Sequence, residues 1–312
     1  MKLNHQTTSP RHTRHGFSLI ELLVVIVIIG ILMALILPAL NGARIRAKIT
    51  AVATEITQLD QALVSFESKF KSLPPSSLTI PVNAASWSAA DRQKILRIWD
   101  QFDFSTCGGL GSTAAGIPGA YPASPVYLNG AECLVFFLGG VNANPDPSGT
   151  PQFIGFANNS QYPWAIYPQN RDVPFFENFN LRMLDLDGDN AREFKDSLPD
   201  QESPYLYFSS QGKSYDKMNS LTAYDDFDVN GPWIDPMGVP HDGRDNPKDL
   251  SSIYLGSDGK TPLRDQGYQI ISPGIDKLYG LGGVYTDGEE LKGARKDEAD
   301  NITNFSGGVL RP

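Results

Sequence analysis

Histidine and cysteine are both scarce in this 312-residue chain. Three of its 4 histidines, His5, His12 and His15, precede residue 16, so the rest of the chain has little material for acid–base catalysis by histidine. No zinc-ligand spacing, phosphate-binding loop or nucleophile elbow is present. The 2 cysteines, Cys107 and Cys133, are equally compatible with a disulfide in an oxidising compartment and with two ordinary thiols. We therefore predict that the protein is not an enzyme.

An excess of positive charge is also missing. The chain has 26 Lys and Arg residues against 35 Asp and Glu residues, for a net charge of −9. Such a chain lacks the basic surface that phosphate backbones require, so no nucleic acid partner is needed. Because 41% of the residues are hydrophobic, most of the chain is expected to fold as an acidic globular body.

Only one long hydrophobic run occurs, at residues 17–40, and Glu21 interrupts it. A helix of roughly 20 residues, rising ~1.5 Å per residue, crosses a hydrocarbon core of ~30 Å. A secretory signal peptide would have a shorter run with its cleavage site behind it. Here the candidate cleavage point, Gly16, precedes the run, so the run stays on the mature chain. Basic residues balance on the two sides, so charge alone does not orient the helix.

This N-terminus resembles those of type IV prepilins and of the prepseudopilins of type II secretion. The resemblance is carried by a basic leader ending in Gly16, then Phe17, a serine, and Glu21 five residues after the glycine. It implies that a membrane peptidase cleaves after Gly16 on the cytoplasmic side and methylates Phe17. It also implies a single pass through the inner membrane with the body in the periplasm. A plain signal anchor that happens to contain Glu21 is the alternative.

The same resemblance implies a set of partners. They are the prepilin peptidase and methyltransferase, identical subunits, minor pseudopilins or pilins, an inner-membrane assembly platform and the lipid bilayer. In the family, the acid corresponding to Glu21 pairs with the N-terminal amine of a neighbouring subunit, while the apolar helices pack together.

Beyond the run, the chain predicts a second helical segment at 41–73 with a narrow apolar stripe. Pro38 cannot donate a backbone hydrogen bond and is followed by Asn41-Gly42, so the helix is expected to kink or loosen there. Leu73-Pro74-Pro75 predicts its end. The stripe residues fall at spacings of three and four: Ile49, Val52, Ile56, Leu59, Leu63, Phe66 and Phe70.

The remaining body predicts short elements separated by proline and glycine. Residues 88–102 and 131–140 read as helices, while 204–210 and 267–274 read as strands. The predicted fold class is α+β and pilin-like: a long N-terminal helix packed on a small antiparallel sheet, with a large, mainly helical and loop insertion. The predicted organisation is a leader at 1–16, a transmembrane or filament-core helix at 17–40, an amphipathic helix at 41–73, an insertion of unknown role at 74–180, and a sheet with acidic Gly-rich loops at 181–312.

Two acidic, glycine-containing loops suggest calcium, which prefers six to eight oxygen ligands. In the first loop Asp185, Asp187 and Asp189 alternate, although the glycine of the EF-hand pattern is misplaced; a solvated acidic turn is the alternative.

The second loop, residues 272–305, resembles the calcium loop of the major type II secretion pseudopilin. That resemblance implies Asp276, Asp297 and Asp300 as carboxylate ligands. Lys277 and Phe305 depart from the family pattern.

These features predict a structural subunit of a type II secretion pseudopilus that supports protein export across the outer membrane. A type IV pilin serving adhesion, motility or DNA uptake is the first alternative. A membrane-anchored, calcium-dependent binding protein that never polymerises is the second.

Overall fold

The structure, a computed structural model, describes most of the chain from residue 19 to residue 310. Gly16 and Phe17, together with Asp187 and Asp189, lie outside the described residues. The chain divides into two compact units, residues 1–47 and 48–312, and each is considered by itself. The described ranges are 19–109, 125–144, 149–166, 170–185, 191–210, 233–234, 240–241 and 253–310.

The longest element is helix α1, Leu19–Phe70, of 52 residues. It continues through position 38 and residues 41–42 without interruption, so the kink or loosening predicted there does not end it. Its end is where the sequence places it. Lys71 adopts a left-handed φ of 58°, its N–H donates to the Glu67 carbonyl at 2.8 Å, and the proline pair follows.

The second half of α1 packs on the body through the predicted stripe. Ile49 and Phe70 are partly buried against the same core. This periodic burial confirms the amphipathic helix predicted from spacing alone. The five central stripe residues are each at most 2% exposed: Val52, Ile56, Leu59, Leu63 and Phe66.

The described part of the region 74–180 contains two short α-helices, α2 (Ala89–Leu96) and α3 (Gly130–Gly139). Ser88 caps α2 as predicted, its hydroxyl accepting from the Asp91 N–H at 3.0 Å. However, α2 ends at Leu96 and not at residue 102, because the chain turns so that Trp99 and Phe102 enter the core. The ten residues of α3 are all buried.

This region also contains a strand pair that the sequence did not suggest, β1 (Leu78–Ile80) with β2 (Val126–Leu128). Three-residue strands are too short for their alternation to stand out. The region shares one hydrophobic core with α1 and the sheet. Within that core the Phe137 ring of α3 lies 6.0 Å from the Phe66 ring of α1.

The predicted antiparallel sheet is confirmed as four strands in the spatial order β12-β11-β9-β5. In its centre Leu206 pairs with Ile271, and Ile302 pairs with Ser272. Strands β5 and β9 match the two predicted from sequence. The four strands are β5 (Leu206–Ser209), β9 (Tyr268–Ser272), β11 (Ile302–Thr303) and β12 (Gly308–Val309).

The described ranges contain three further pairs of two-residue strands. Two pairs are antiparallel and one, β8 with β10, is parallel. They are β3 (Met183–Leu184) with β4 (Glu193–Phe194), β6 (Trp233–Ile234) with β7 (Pro240–His241), and β8 (Tyr254–Leu255) with β10 (Gly283–Val284).

Two neighbouring residues of α1 test this packing. Leu63 is fully buried, whereas Val64 is 58% exposed. We expect Leu63→Ala to lower the free energy of unfolding by about 2–5 kcal/mol, because it leaves a cavity in the core. Val64→Ala is the control and should change it by less than about 0.5 kcal/mol. Denaturant unfolding of the full chain in detergent micelles measures the free energy of unfolding of both variants. Equal decreases in the two variants would contradict the burial of Leu63 and the exposure of Val64.

Candidate functional site

The first half of α1 presents large apolar side chains that the unit of residues 1–47 does not bury. From Leu19 to Leu40, every large apolar side chain is at least 42% exposed. Among the described residues, α1 is the helix whose length and apolar composition suffice to cross a membrane. An exposed surface of this size in water is unfavourable, so it calls for lipid or for other helices.

Glu21 lies in the first turn of this helix. It is the one acidic residue in the apolar run 17–40. Within an apolar run, such a charge requires a partner.

The C-terminal loop contains the other predicted site. Gly274 has a φ of +71°, and a Cβ there would lie 2.4 Å from the Asp300 carbonyl oxygen, so glycine is required. The Asp300 Oδ2 accepts the backbone N–H groups of Ile275 at 2.6 Å and Asp276 at 3.1 Å. Asp300 therefore fastens the start of the loop to the segment that precedes β11.

Asp276 lies beside two other acids. Its Oδ1 accepts the Leu278 N–H at 2.9 Å. Its pKa is raised to about 6, first because its carboxylate is partly removed from water and then because of the negative charges of Asp300 and Asp297. Asp297 and Asp300 are therefore neighbours of Asp276 whose negative charges disfavour its ionised form.

These neighbours are not arranged as a set of metal ligands. Within the described ranges, no group of three or more His, Cys, Asp or Glu side chains is placed to hold a metal ion. Asp276 and Asp300 instead direct oxygen atoms at backbone amides. Calcium binding by this loop stays a prediction. Calcium binding by the first acidic loop also stays a prediction. The structure describes Asp185 of that loop but not Asp187 and Asp189.

The possible disulfide does not form in this structure. Cys107 and Cys133 are both free and buried. The Cys133 Sγ donates to the Leu128 carbonyl oxygen at 3.7 Å from inside α3. Burial raises the pKa of Cys107 to about 12 and that of Cys133 well above its ordinary value, so neither thiol ionises readily.

The same loop contains an ion pair that was not predicted from sequence, Arg295–Glu298. Glu298 is fully buried, and its carboxylate binds the Arg295 guanidinium. In the sequence, only the spacing of three residues between them indicated an ion pair, and the structure shows that they lie on one 3₁₀ helix. The run Lys-Asp-Glu-Ala-Asp is otherwise typical of a solvated surface.

Comparison with known proteins bears on the first of these sites. The family model for the prokaryotic N-terminal methylation motif matches residues 11–37. The N-terminal segment therefore resembles the segments that carry this methylation motif. The matched range contains Gly16, Phe17 and Glu21 and continues into the exposed apolar half of α1.

One known protein is similar to part of the chain. The chain is 43% identical over 53 residues to the type II secretion system core protein G of Klebsiella michiganensis. That match covers 17% of this chain and 37% of the relative, so the chain spans well under two thirds of the relative it matches. No solved structure matches the chain.

The raised pKa of Asp276 predicts a pH-dependent effect on stability. Because its pKa is higher in the folded chain than the ordinary 3.8, its favourable contribution is complete below pH 3.8 and is lost as the pH rises through about 6. With calcium chelated at pH 7.5, we expect Asp276→Asn to raise the melting temperature by about 2 °C. The difference should vanish below pH 4.

The matched control is Asp287→Asn, an exposed acid of the same loop, which should change little at either pH. A lower melting temperature for Asp276→Asn at pH 7.5 would contradict the repulsion.

Addition of millimolar calcium tests the prediction that the acidic loops bind this ion. Binding at the second loop should raise the melting temperature of the parent chain but not of Asp276→Asn, and no rise in either would reject both acidic loops as calcium sites.

Proposed function

We propose that this chain is a structural subunit of a type II secretion pseudopilus, processed by a prepilin peptidase and assembled through α1. One observation carries the proposal. The methylation motif at 11–37 leads directly into a helix whose apolar side chains are exposed from Leu19 to Leu40. A motif for leader removal and a surface that needs a non-aqueous partner thus occur on the same segment. The local identity to core protein G favours secretion.

In this proposal the peptidase cuts after Gly16 and methylates Phe17, and the helix then holds the chain in the inner membrane with the body in the periplasm. A charged side chain within a spanning helix costs roughly 2.5–3.5 kcal/mol on insertion scales. Cleavage creates a partner for Glu21, the α-amine of Phe17, whose ordinary pKa of ~7.7–8 keeps much of it protonated at neutral pH.

The amine that pairs best with Glu21 in a filament is that of a neighbouring subunit. Glu21 and Phe17 are four residues apart, about one helical turn, which allows some attraction within one chain. A contact between chains has the same charges and also fixes the axial register of the two helices. Apolar packing, which has little directional preference, then supplies adhesion.

Polar contacts fix the body to the second half of α1. This supports the proposal that α1 links the body to the filament. The Tyr205 hydroxyl donates to Glu55 Oε2 at 2.6 Å, and Arg182 forms an ion pair with Glu55. Lys69 pairs with Asp172 further along the helix. These polar contacts flank the buried stripe, so movement of the second half of α1 is expected to move the body with it.

Replacing Glu21 tests the assembly role. We expect Glu21→Ala to leave cleavage and methylation intact, because the helix and the cleavage point remain, and to reduce assembled filaments by about tenfold or more. Sheared surface fractions and membrane fractions, quantified by immunoblot, provide the measurement.

Glu67→Ala is the control, since it removes an exposed acid from the same helix outside the apolar run. It should assemble normally. Normal filaments from Glu21→Ala would remove the role proposed for this carboxylate.

A deletion strain separates the secretion role from the first alternative. Loss of exported enzymes with surface fibres unchanged supports a pseudopilus. Loss of fibres, adhesion, motility or DNA uptake with normal export would instead indicate a type IV pilin. A chain that is cut and membrane-bound but never enters a filament would indicate the non-polymerising binding protein.

A further inference from the structure

The buried carboxylate of Glu298 organises the Gly-rich segment 279–285. Its Oε1 accepts the backbone N–H groups of Leu281 and Gly282, each at 3.1 Å. The close approach depends on Gly280, which has a φ of +71° and where a Cβ would lie 2.4 Å from the Glu298 Cγ. The segment is thus folded around this side chain. A buried carboxylate with only amide partners, however, retains an uncompensated negative charge.

Arg295 supplies the compensating charge. Its Nε donates to Glu298 Oε1 at 2.9 Å and its Nη2 to Oε2 at 2.7 Å, a two-pronged contact. Its Nη1 donates to the Val284 carbonyl oxygen. The guanidinium therefore links the carboxylate that holds Leu281 and Gly282 to the carbonyl on the far side of the glycine pair. Arginine suits this position because its donors are fixed in a plane and its charge is permanent.

The oxygens bound by Arg295 are of the kind that calcium selects, carboxylate and backbone carbonyl. The glycine pair Gly282-Gly283 lies within residues 272–305, the range that resembles the pseudopilin calcium loop, and the structure places the Arg295 guanidinium beside this pair. We propose that segment 279–285 is ordered by the Arg295 guanidinium bound to Glu298 and needs no metal ion. This inference is independent of the proposed function. It also leaves the question of calcium at Asp276, Asp297 and Asp300 to its own test.

Hydrogen exchange in excess chelator tests the proposal on the full chain in detergent micelles. We expect the amides of Leu281 and Gly282 to be protected without calcium. In Arg295→Gln their protection should fall by about tenfold to 100-fold, because one partner of a buried ion pair is lost. The melting temperature should fall by about 5–10 °C. The amides of Ile270 and Ile271 in β9 should stay protected, which separates local loosening from global unfolding.

Two variants sharpen the comparison. Lys292→Gln is the matched control, since Lys292 pairs with Glu290 at an exposed position, and protection should not change. Arg295→Lys keeps the charge but not the two-pronged geometry, so it should retain intermediate protection. If Arg295→Gln does not fold, the comparison of Arg295→Lys with the parent chain still tests the proposal.

Two results would overturn the proposal. One is that Leu281 and Gly282 are unprotected in chelator and become protected when calcium is added. The other is that Arg295→Gln and Arg295→Lys both leave their protection unchanged.

Discussion

Burial of the apolar stripe on the second half of α1 is the interaction on which the body depends. Leu59 and Leu63 are fully buried in a core that also contains Phe137 of α3 and Ile270 of β9. The core therefore joins elements that are distant in the chain, and the region 74–180 belongs to it. The first half of the same helix has the opposite property, since its apolar side chains remain exposed from Leu19 to Leu40. One continuous helix thus has two kinds of apolar surface, one buried by its own chain and one that requires another partner.

The proposed pairing of Glu21 would fix how helices align along the second surface. Apolar packing alone tolerates sliding of one helix along another, because the hydrophobic effect is not directional. An ion pair in a medium of low dielectric has a strong distance dependence and tolerates little sliding. The proposed contact of Glu21 with a neighbour's Phe17 amine would therefore set the register, and it could form only after the leader is removed.

Local periodicity predicted much of this fold. The stripe of α1, helix α3 and strands β5 and β9 follow from spacing that a short window contains. The strand pair β1–β2 was missed because three residues give no clear alternation. Contacts between residues far apart in the chain were not predictable: Arg182 and Glu55 are separated by 127 positions, and nothing local marks them as partners.

The acidic C-terminal loop illustrates a different limit. A carboxylate is a ligand for calcium, an acceptor for backbone amides and a partner for arginine, and its residue type is the same in each role. The resemblance to the pseudopilin calcium loop implied that Asp276, Asp297 and Asp300 lie together, and the charges of Asp297 and Asp300 contribute to the raised pKa of Asp276. Their role as calcium ligands stays a prediction. The sequence did not indicate that Asp300 would accept two amides or that Glu298 would be neutralised by Arg295, because those roles depend on the path of the backbone around Gly274 and Gly280.

The proposed function requires that the mature chain begin at Phe17 and assemble through the helix that follows. The most direct test is the intact N-terminal mass of the protein from two fractions, inner membranes and sheared filaments. The account predicts a chain that starts at Phe17 with a methylated amine in both fractions. A chain that retains Met1, or one cut at a position other than after Gly16, would contradict it.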